Sequence, residues 1–139
     1  NLAGEHTFTV EVLTPEGEVF NGDVIQLSTR TVTGEIGVLA NHVPILAALT
    51  PNLLRLKISE SETKRFAQTH GTLQVFANHA QVLLEEAIPP EELDAPALEK
   101  EKEDAEARLN DSGLGDAARQ DAKRDLERAD AFLAISREA

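Results

Sequence analysis

The spacing of apolar residues changes once along this chain, at Pro89-Pro90, and that change sets what it can fold into. Ahead of the proline pair, apolar residues alternate with polar ones in short runs. Phe8, Val10 and Val12 have the period of a strand with one buried face. Beyond it they recur every third or fourth residue, the period of an amphipathic helix. Two units follow: an antiparallel β-sandwich, or flattened barrel, over residues 1–88, and an antiparallel two-helix hairpin over residues 89–139. A parallel sheet is not expected, because it needs crossovers of a dozen or more residues and residues 1–88 contain no such segment.

Turn chemistry divides the strand region. Thr14-Pro15-Glu16-Gly17 closes the first strand, and Val19-Phe20-Asn21-Gly22 reads as a second that ends in an Asn-Gly turn. Val24, Ile25 and Leu27 follow. Thr50-Pro51-Asn52 is a further turn. Leu54, Leu56 and Ile58 are expected to face Phe66 across a polar tip at Ser59 to Thr63, and Leu73 to Val75 to pair with Val82 to Leu84 around Asn78-His79.

In the second unit Asp94 is placed to cap a helix whose first turn tolerates Pro96, since amides there have no intrahelical partner. Leu98, Ala105 and Leu109 fall on its inner face. After the breaker Asn110-Asp111-Ser112-Gly113-Leu114-Gly115, Asp116 is expected to cap a second helix reaching Arg137, buried along Ala118, Ala122, Leu126, Ala129 and Leu133. At ~1.5 Å per residue that helix is roughly 30 Å long. Alanine buries little apolar area, so the hairpin is expected to be marginal alone and able to detach and open.

Composition excludes several functions. The 139 residues include no cysteine, so neither a disulfide framework nor a thiolate metal site is available. A net charge of −12 argues against a nucleic-acid partner, which clustered Lys and Arg would have to hold. From Pro89 onward there are 8 basic and 15 acidic residues, both signs interleaved as on a solvated helix surface. No apolar run approaches the ~20 residues that span a bilayer, and no secretory signal opens the chain, so it is expected to be soluble. Because it starts at Asn1 and contains no methionine, its initiator and a short preceding segment are expected to be missing.

The least ordinary stretch is Gly34-Glu35-Ile36-Gly37-Val38-Leu39-Ala40-Asn41-His42-Val43-Pro44-Ile45-Leu46-Ala47-Ala48-Leu49. It reads as a loop leading into a buried strand. Glycines on both sides of Glu35 suit a tight exposed bend, Asn41 to Pro44 suit another, and the unbroken apolar run Ile45 to Leu49 suggests burial on both faces. Glu35 and His42 form one conceivable acid–base pair, and an independent ligand-binding or hydrolytic sandwich using them is the alternative reading. No third group supports it. His6, His42, His70 and His79 lack the i, i+4 spacing of a metal pair, and no glycine-rich phosphate loop is present, so neither metal nor cofactor is expected.

The stretch resembles the G-E-(I/L)-G-(I/V)-L-x-x-H-x-P-(I/L)-L segment of the epsilon subunit of F-type ATP synthases, called delta in mitochondria. Val12-Leu13-Thr14-Pro15-Glu16-Gly17, Phe20-Asn21-Gly22, Gly71-Thr72-Leu73-Gln74-Val75, Val82-Leu83-Leu84 and an alanine-rich charged tail follow the same family's order. The resemblance implies a non-catalytic rotor subunit that couples the gamma shaft to the c-ring during proton-driven ATP synthesis, its membrane association indirect and peripheral. That implies the cytoplasmic face of a bacterial membrane, or the equivalent face of another energy-transducing membrane. It implies a c-ring contact at Glu35, Ile36, Gly37 and His42. It also implies that Arg119, Lys123, Arg124 and Arg128 reach the alpha/beta hexamer when the tail extends, and inhibit hydrolysis. Family members that bind ATP carry a pattern of which this chain keeps Leu93, Asp94, Ala105, Glu106, Arg108 and Leu109, with Asp94 and Arg108 the doubtful contacts, but it has Ala97 and Asp104 in place of two arginines, so ATP binding is expected to be weak or absent.

Overall fold

The structure, a computed structural model, describes residues 6–138. The chain divides into two compact units between Pro89 and Pro90, one residue beyond the boundary read from the sequence. Ten strands make up the first among the described residues: β1 (Phe8–Thr14), β2 (Gly17–Val24), β3 (Gln26–Thr31), β4 (Gly34–Leu39), β5 (Ile45–Leu49), β6 (Asn52–Lys57), β7 (Thr63–Gln68), β8 (Gly71–Phe76), β9 (His79–Leu84) and β10 (Ala87–Ile88). Their order is β10-β7-β6-β3-β5-β8-β9-β1-β2, with β4 on β3. The sheet curls around one core in which Val10, Val12, Leu27, Leu54, Leu56, Leu73 and Val82 are fully buried. Each such side chain contributes about 1.5–3 kcal/mol relative to exposure.

All pairings but one are antiparallel. The exception is β1 beside β9, parallel from Thr9 on His79 to Leu13 on Leu83. Here the crossover is the whole intervening sandwich, so no dedicated segment was needed. The Asn-Gly turn expected at Asn21-Gly22 does not form: both residues lie inside β2, opposite Glu11 and Val10. The Phe20 ring lies over Gly22, where a Cβ would sit 3.3 Å from it. The turn comes at Ile25, once Val24 has entered the core opposite Phe8. Both later hairpins form as expected, except that Ala77 and Asn78 (φ 50° and 58°) make the tight turn and His79 begins β9.

The run 34–49 departs most from expectation. It is not a loop but β4, then a connection over residues 40–44, then β5. Gly34 alone of its glycines needs its freedom (φ 130°), and Glu35 lies in a strand rather than on a bend. Nor is β5 buried on both faces: Ile45, Ala47 and Leu49 turn inward while Leu46 is 76% exposed.

β3 pairs with β4 along its length, with β6 over Gln26–Ser28, and with β5 only at Thr31. That narrow seam is closed by Val32 N–H on the Ala48 carbonyl (3.0 Å) and Thr50 N–H on the Arg30 carbonyl (3.2 Å). Gln68, fully buried on β7, reinforces it. Its amide nitrogen donates to the carbonyls of Thr50 (2.7 Å) and Arg30 (3.3 Å), and its oxygen accepts from the Thr29 hydroxyl.

In the second unit a 3-10 turn over Pro90–Glu92 precedes helices α1 (Ala95–Leu109) and α2 (Asp116–Glu138). Asp94 caps α1 by accepting from Ala97 N–H at 3.1 Å. Asp116 is not the cap of α2 but its first residue, and the Gly115 carbonyl accepts the first helical bond from Arg119 N–H. The buried stripe holds Ala122, Ala129 and Leu133 as expected, with Leu126 partly buried. It also takes in Phe132 and Ile135, whereas Ala118 is exposed because the stripe begins a turn later.

Two substitutions test the packing, and with no Trp or Tyr in the chain circular dichroism during chemical denaturation is the readout. A Cβ at Gly71 would fall 2.0 Å from the Leu83 carbonyl oxygen, within a paired strand that cannot retreat. Gly71→Ala is expected to lose about 2–3 kcal/mol, and a loss under about 0.5 kcal/mol would contradict this contact. Gln68→Leu takes the carboxamide from the Thr50 carbonyl and the buried Thr29 hydroxyl, and is expected to lose about 2–3 kcal/mol. Unchanged stability would show that the seam does not need the carboxamide.

Candidate functional site

β4 is bonded on one side only, to β3, and it alternates outward Glu35, Gly37 and Leu39 with inward Ile36 and Val38. Glu35 stands 73% exposed opposite Arg30, with 4.0 Å between their charged groups, an exposed pairing of small energetic consequence. Gly37 leaves bare backbone on the outer face; a Cβ there would meet only the flexible Gln26 side-chain nitrogen at 3.2 Å. Ile36 packs against the core, so of the four contact residues implied by the resemblance it alone faces inward.

His42 lies beyond the other end of β4. Its Nδ1 donates to the Val43 carbonyl at 2.8 Å, because a carbonyl can only accept, and this fixes the proton on Nδ1. Four residues of strand separate Glu35 from Leu39, about 13 Å of rise, and His42 follows three residues later. Among the described residues no hydrogen bond or ion pair joins the two, whereas an acid–base pair stands about 3 Å apart or shares one water. Arg30 and the Val43 carbonyl are their partners instead. Nor do the histidines gather: His79 Nε2 donates to Glu11 at 2.9 Å on the β1–β9 pair. Among the described residues no group of three His, Asp or Glu side chains is placed to hold a metal.

Sequence reasoning missed the apolar side chains exposed on and around the His42 connection. Leu46 and Phe76 (50%) are exposed on the paired strands β5 and β8, Val43 (69%) on the connection and Leu39 (56%) at the end of β4. Pro44, Ile45, Leu46, Gln74, Val75 and Phe76 line a shallow groove of about 340 Å³ there. The available signal was Ile45 to Leu49 itself, apolar at every position although a strand buries only alternate residues.

The second set of residues implied by the resemblance does not form a uniform basic strip. Arg119 turns back on the interhelix connection and donates to the Leu109 and Asp111 carbonyls, both at 3.2 Å, which satisfies orphan groups at the end of α1. Arg128 bonds Glu101 across the hairpin and stacks 4.7 Å from the Phe132 ring centroid. Lys123 and Arg124 are exposed. Three further bridges, Glu99–Arg137, Lys102–Asp130 and Arg108–Asp125, cross the hairpin.

The hydrogen bond from Lys102 to Asp130 raises the lysine above its usual 10.5. Its contribution is complete below that value and is lost as pH rises through the raised one, outside the physiological range. Both remaining residues of the ATP pattern are occupied, Asp94 as the helix cap and Arg108 by Asp125 at 2.7 Å. Among the described residues no helix is long and apolar enough to cross a membrane.

Comparison with known proteins gives this arrangement its context. Residues 7–90 match the family described as ATP synthase, Delta/Epsilon chain, beta-sandwich domain. The ATP synthase epsilon chain of Persephonella marina is 41% identical over 104 residues, 75% of this chain and 76% of that protein. That of Sulfurihydrogenibium sp. is 33% identical over 129 residues, 93% of this chain and 96% of the relative. Among solved structures, a chain of the Euglena gracilis mitochondrial ATP synthase (OSCP/F1/c-ring) superposes with a TM-score of 0.79 at 24% identity, over 92% of this chain and 80% of that one. A chain of the Tetrahymena thermophila ATP synthase central stalk and c-ring does so with a TM-score of 0.65 at 16% identity, over 92% and 95%. At those identities the structural likeness concerns the fold, whereas the sequence matches fix the kinship: this chain belongs to the ATP synthase delta/epsilon family.

Proposed function

We propose that this chain is a non-catalytic central-stalk subunit of an F-type ATP synthase, whose sandwich ties the gamma shaft to the c-ring and whose hairpin restrains ATP hydrolysis. The observation that carries the docking role is the exposure of Glu35 and Leu39 on β4, Val43 on the His42 connection, and Leu46 and Phe76 on the β5–β8 pair. Exposed apolar side chains beside a groove, as Leu46 and Phe76 are on the β5–β8 pair, mark interaction sites. Glu35, Gly37 and His42 contact the ring loops; the apolar side chains pack on the shaft. Chemistry belongs to the partners. The chain is peripheral, on the cytoplasmic face of a bacterial membrane or its equivalent, and is held there through the ring.

The braking role is supported by Lys123 and Arg124, which the hairpin leaves exposed on α2. Arg119 and Arg128 become available to acidic loops of the hexamer only when the bonds to Leu109, Asp111 and Glu101 are given up. Opening therefore exchanges intramolecular partners for intermolecular ones, so a modest bias suffices to reverse it.

Replacing Glu35 and His42 together by alanine is expected to weaken binding of the full chain to a purified gamma–c-ring rotor about tenfold, with its thermal unfolding unchanged. Equal affinity would count against the ring contact. Lys123→Glu combined with Arg124→Glu is expected to raise ATP hydrolysis by the assembled complex about twofold or more while the helical signal stays intact; unchanged hydrolysis would remove these residues from the brake.

A further inference from the structure

The connection over residues 40–44 carries His42, yet neither strand ladder extends through it. Among the described residues, the hydrogen bond that ties it to another element is Asn41 N–H on the Asn78 side-chain oxygen, at 2.7 Å. Asn78 sits in the β8–β9 turn and is held from three directions. Its Oδ1 accepts from Asn41, its Nδ2 donates to the Thr7 carbonyl at 2.9 Å, and its main-chain carbonyl accepts from Thr9 N–H at 3.3 Å. The carboxamide thus bridges the start of β1 and the 40–44 connection, segments more than 30 residues apart in sequence. A carboxylate could only accept here, and a hydroxyl would have to donate and accept from one atom, whereas the amide does so from two atoms that point to separate segments.

Both ends of this bridge stand in left-handed backbone, Asn41 at φ 62° and Asn78 at φ 58°. Asparagine tolerates that region better than other residues with a side chain. Neighbouring turn conformations are thereby made compatible with the bond rather than made by it. Beyond Asn41 the chain has one residue, His42, before Val43 and Pro44 lead into β5. An anchor at the preceding amide limits where the imidazole can be presented, and its Nδ1 bond to Val43 fixes the ring and turns Nε2 away from that carbonyl.

We propose that Asn78 is a positioning residue for the His42 contact: its carboxamide holds the 40–44 connection in the docking conformation before the partner arrives, so that the ordering is not charged against binding. This rests on the ring contact proposed above. Asn78 itself need not touch the partner.

The test uses the full chain as Asn78→Gly, which keeps the turn conformation and deletes both side-chain bonds, and as Asn78→Asp, which keeps the acceptor. Amide hydrogen exchange in the free chain and affinity for a purified gamma–c-ring rotor are measured on each. Asn78→Gly is expected to speed exchange at Asn41 about fivefold, the worth of one ordinary hydrogen bond, with the amides of β8 and β9 unaffected. Rotor affinity is expected to fall about threefold, and Asn78→Asp to recover most of both. Unchanged Asn41 exchange in Asn78→Gly overturns the anchoring, whatever the rotor result. Faster exchange with full rotor affinity overturns the positioning role alone, provided Glu35→Ala with His42→Ala weakens binding in parallel. If that double variant also binds normally, the ring contact fails and takes the positioning role with it.

Discussion

The narrowest join in the sandwich, between β3 and β5, is bridged by the buried carboxamide of Gln68. Where β3 leaves β5 for β6, the two strands share a single residue pair, Thr31 with Leu49, and a ladder that short does not hold a sheet closed. Gln68 supplies what the ladder lacks, bonding strand carbonyls on both sides of the seam from a fully buried position. Buried amide bonds are worth more by what their loss would strand than by their own net energy. The seam also closes the base of the segment from Val32 to Ala48, which contains β4, the His42 connection and most of β5. A core interaction thus sets the base of a surface segment whose two strands are held by separate neighbours, β4 by β3 and β5 by β8.

Much of this was legible in the residues, and the misses share a cause. The period-two pattern of Phe8, Val10 and Val12, the polar tip at 59–63 and the Asp94 cap each express a local rule that nothing distant opposes. Asn21-Gly22 obeys an equally strong local rule and fails, because Val24 must enter the core opposite Phe8 and the strand has to run on to reach it. Phe132 and Ile135 escaped a stripe drawn from alanine spacing, since a helix buries an arc of residues rather than a line. The parallel pairing of β1 with β9 needed knowledge of the whole path of the chain. For β5, an apolar outward face looks in the sequence like a second buried face. Only the structure separates surface covered by the fold from surface left bare.

The candidate site was legible as a stretch but not as a geometry. Glu35 and His42 were identified by residue type and spacing, but Glu35 meets Arg30 and His42 the Val43 carbonyl, which leaves the enzyme-like reading without its acid–base pair. In the hairpin the basic residues were visible, but their division was not. Arg119 bonds the connection and Arg128 bonds Glu101, and Lys123 and Arg124 are exposed on α2. The charges that close the hairpin and those proposed to act as a brake are thus drawn from one set, so the closed and extended states compete for the same groups.

The most direct test of this division between a docking sandwich and a braking hairpin is ATP hydrolysis by an alpha–beta–gamma complex of the same source, titrated with the full chain and with a chain ending at Ile88. Both chains are predicted to bind, with inhibition by the full chain alone. Failure of both to bind, or equal inhibition by the shortened chain, would contradict it.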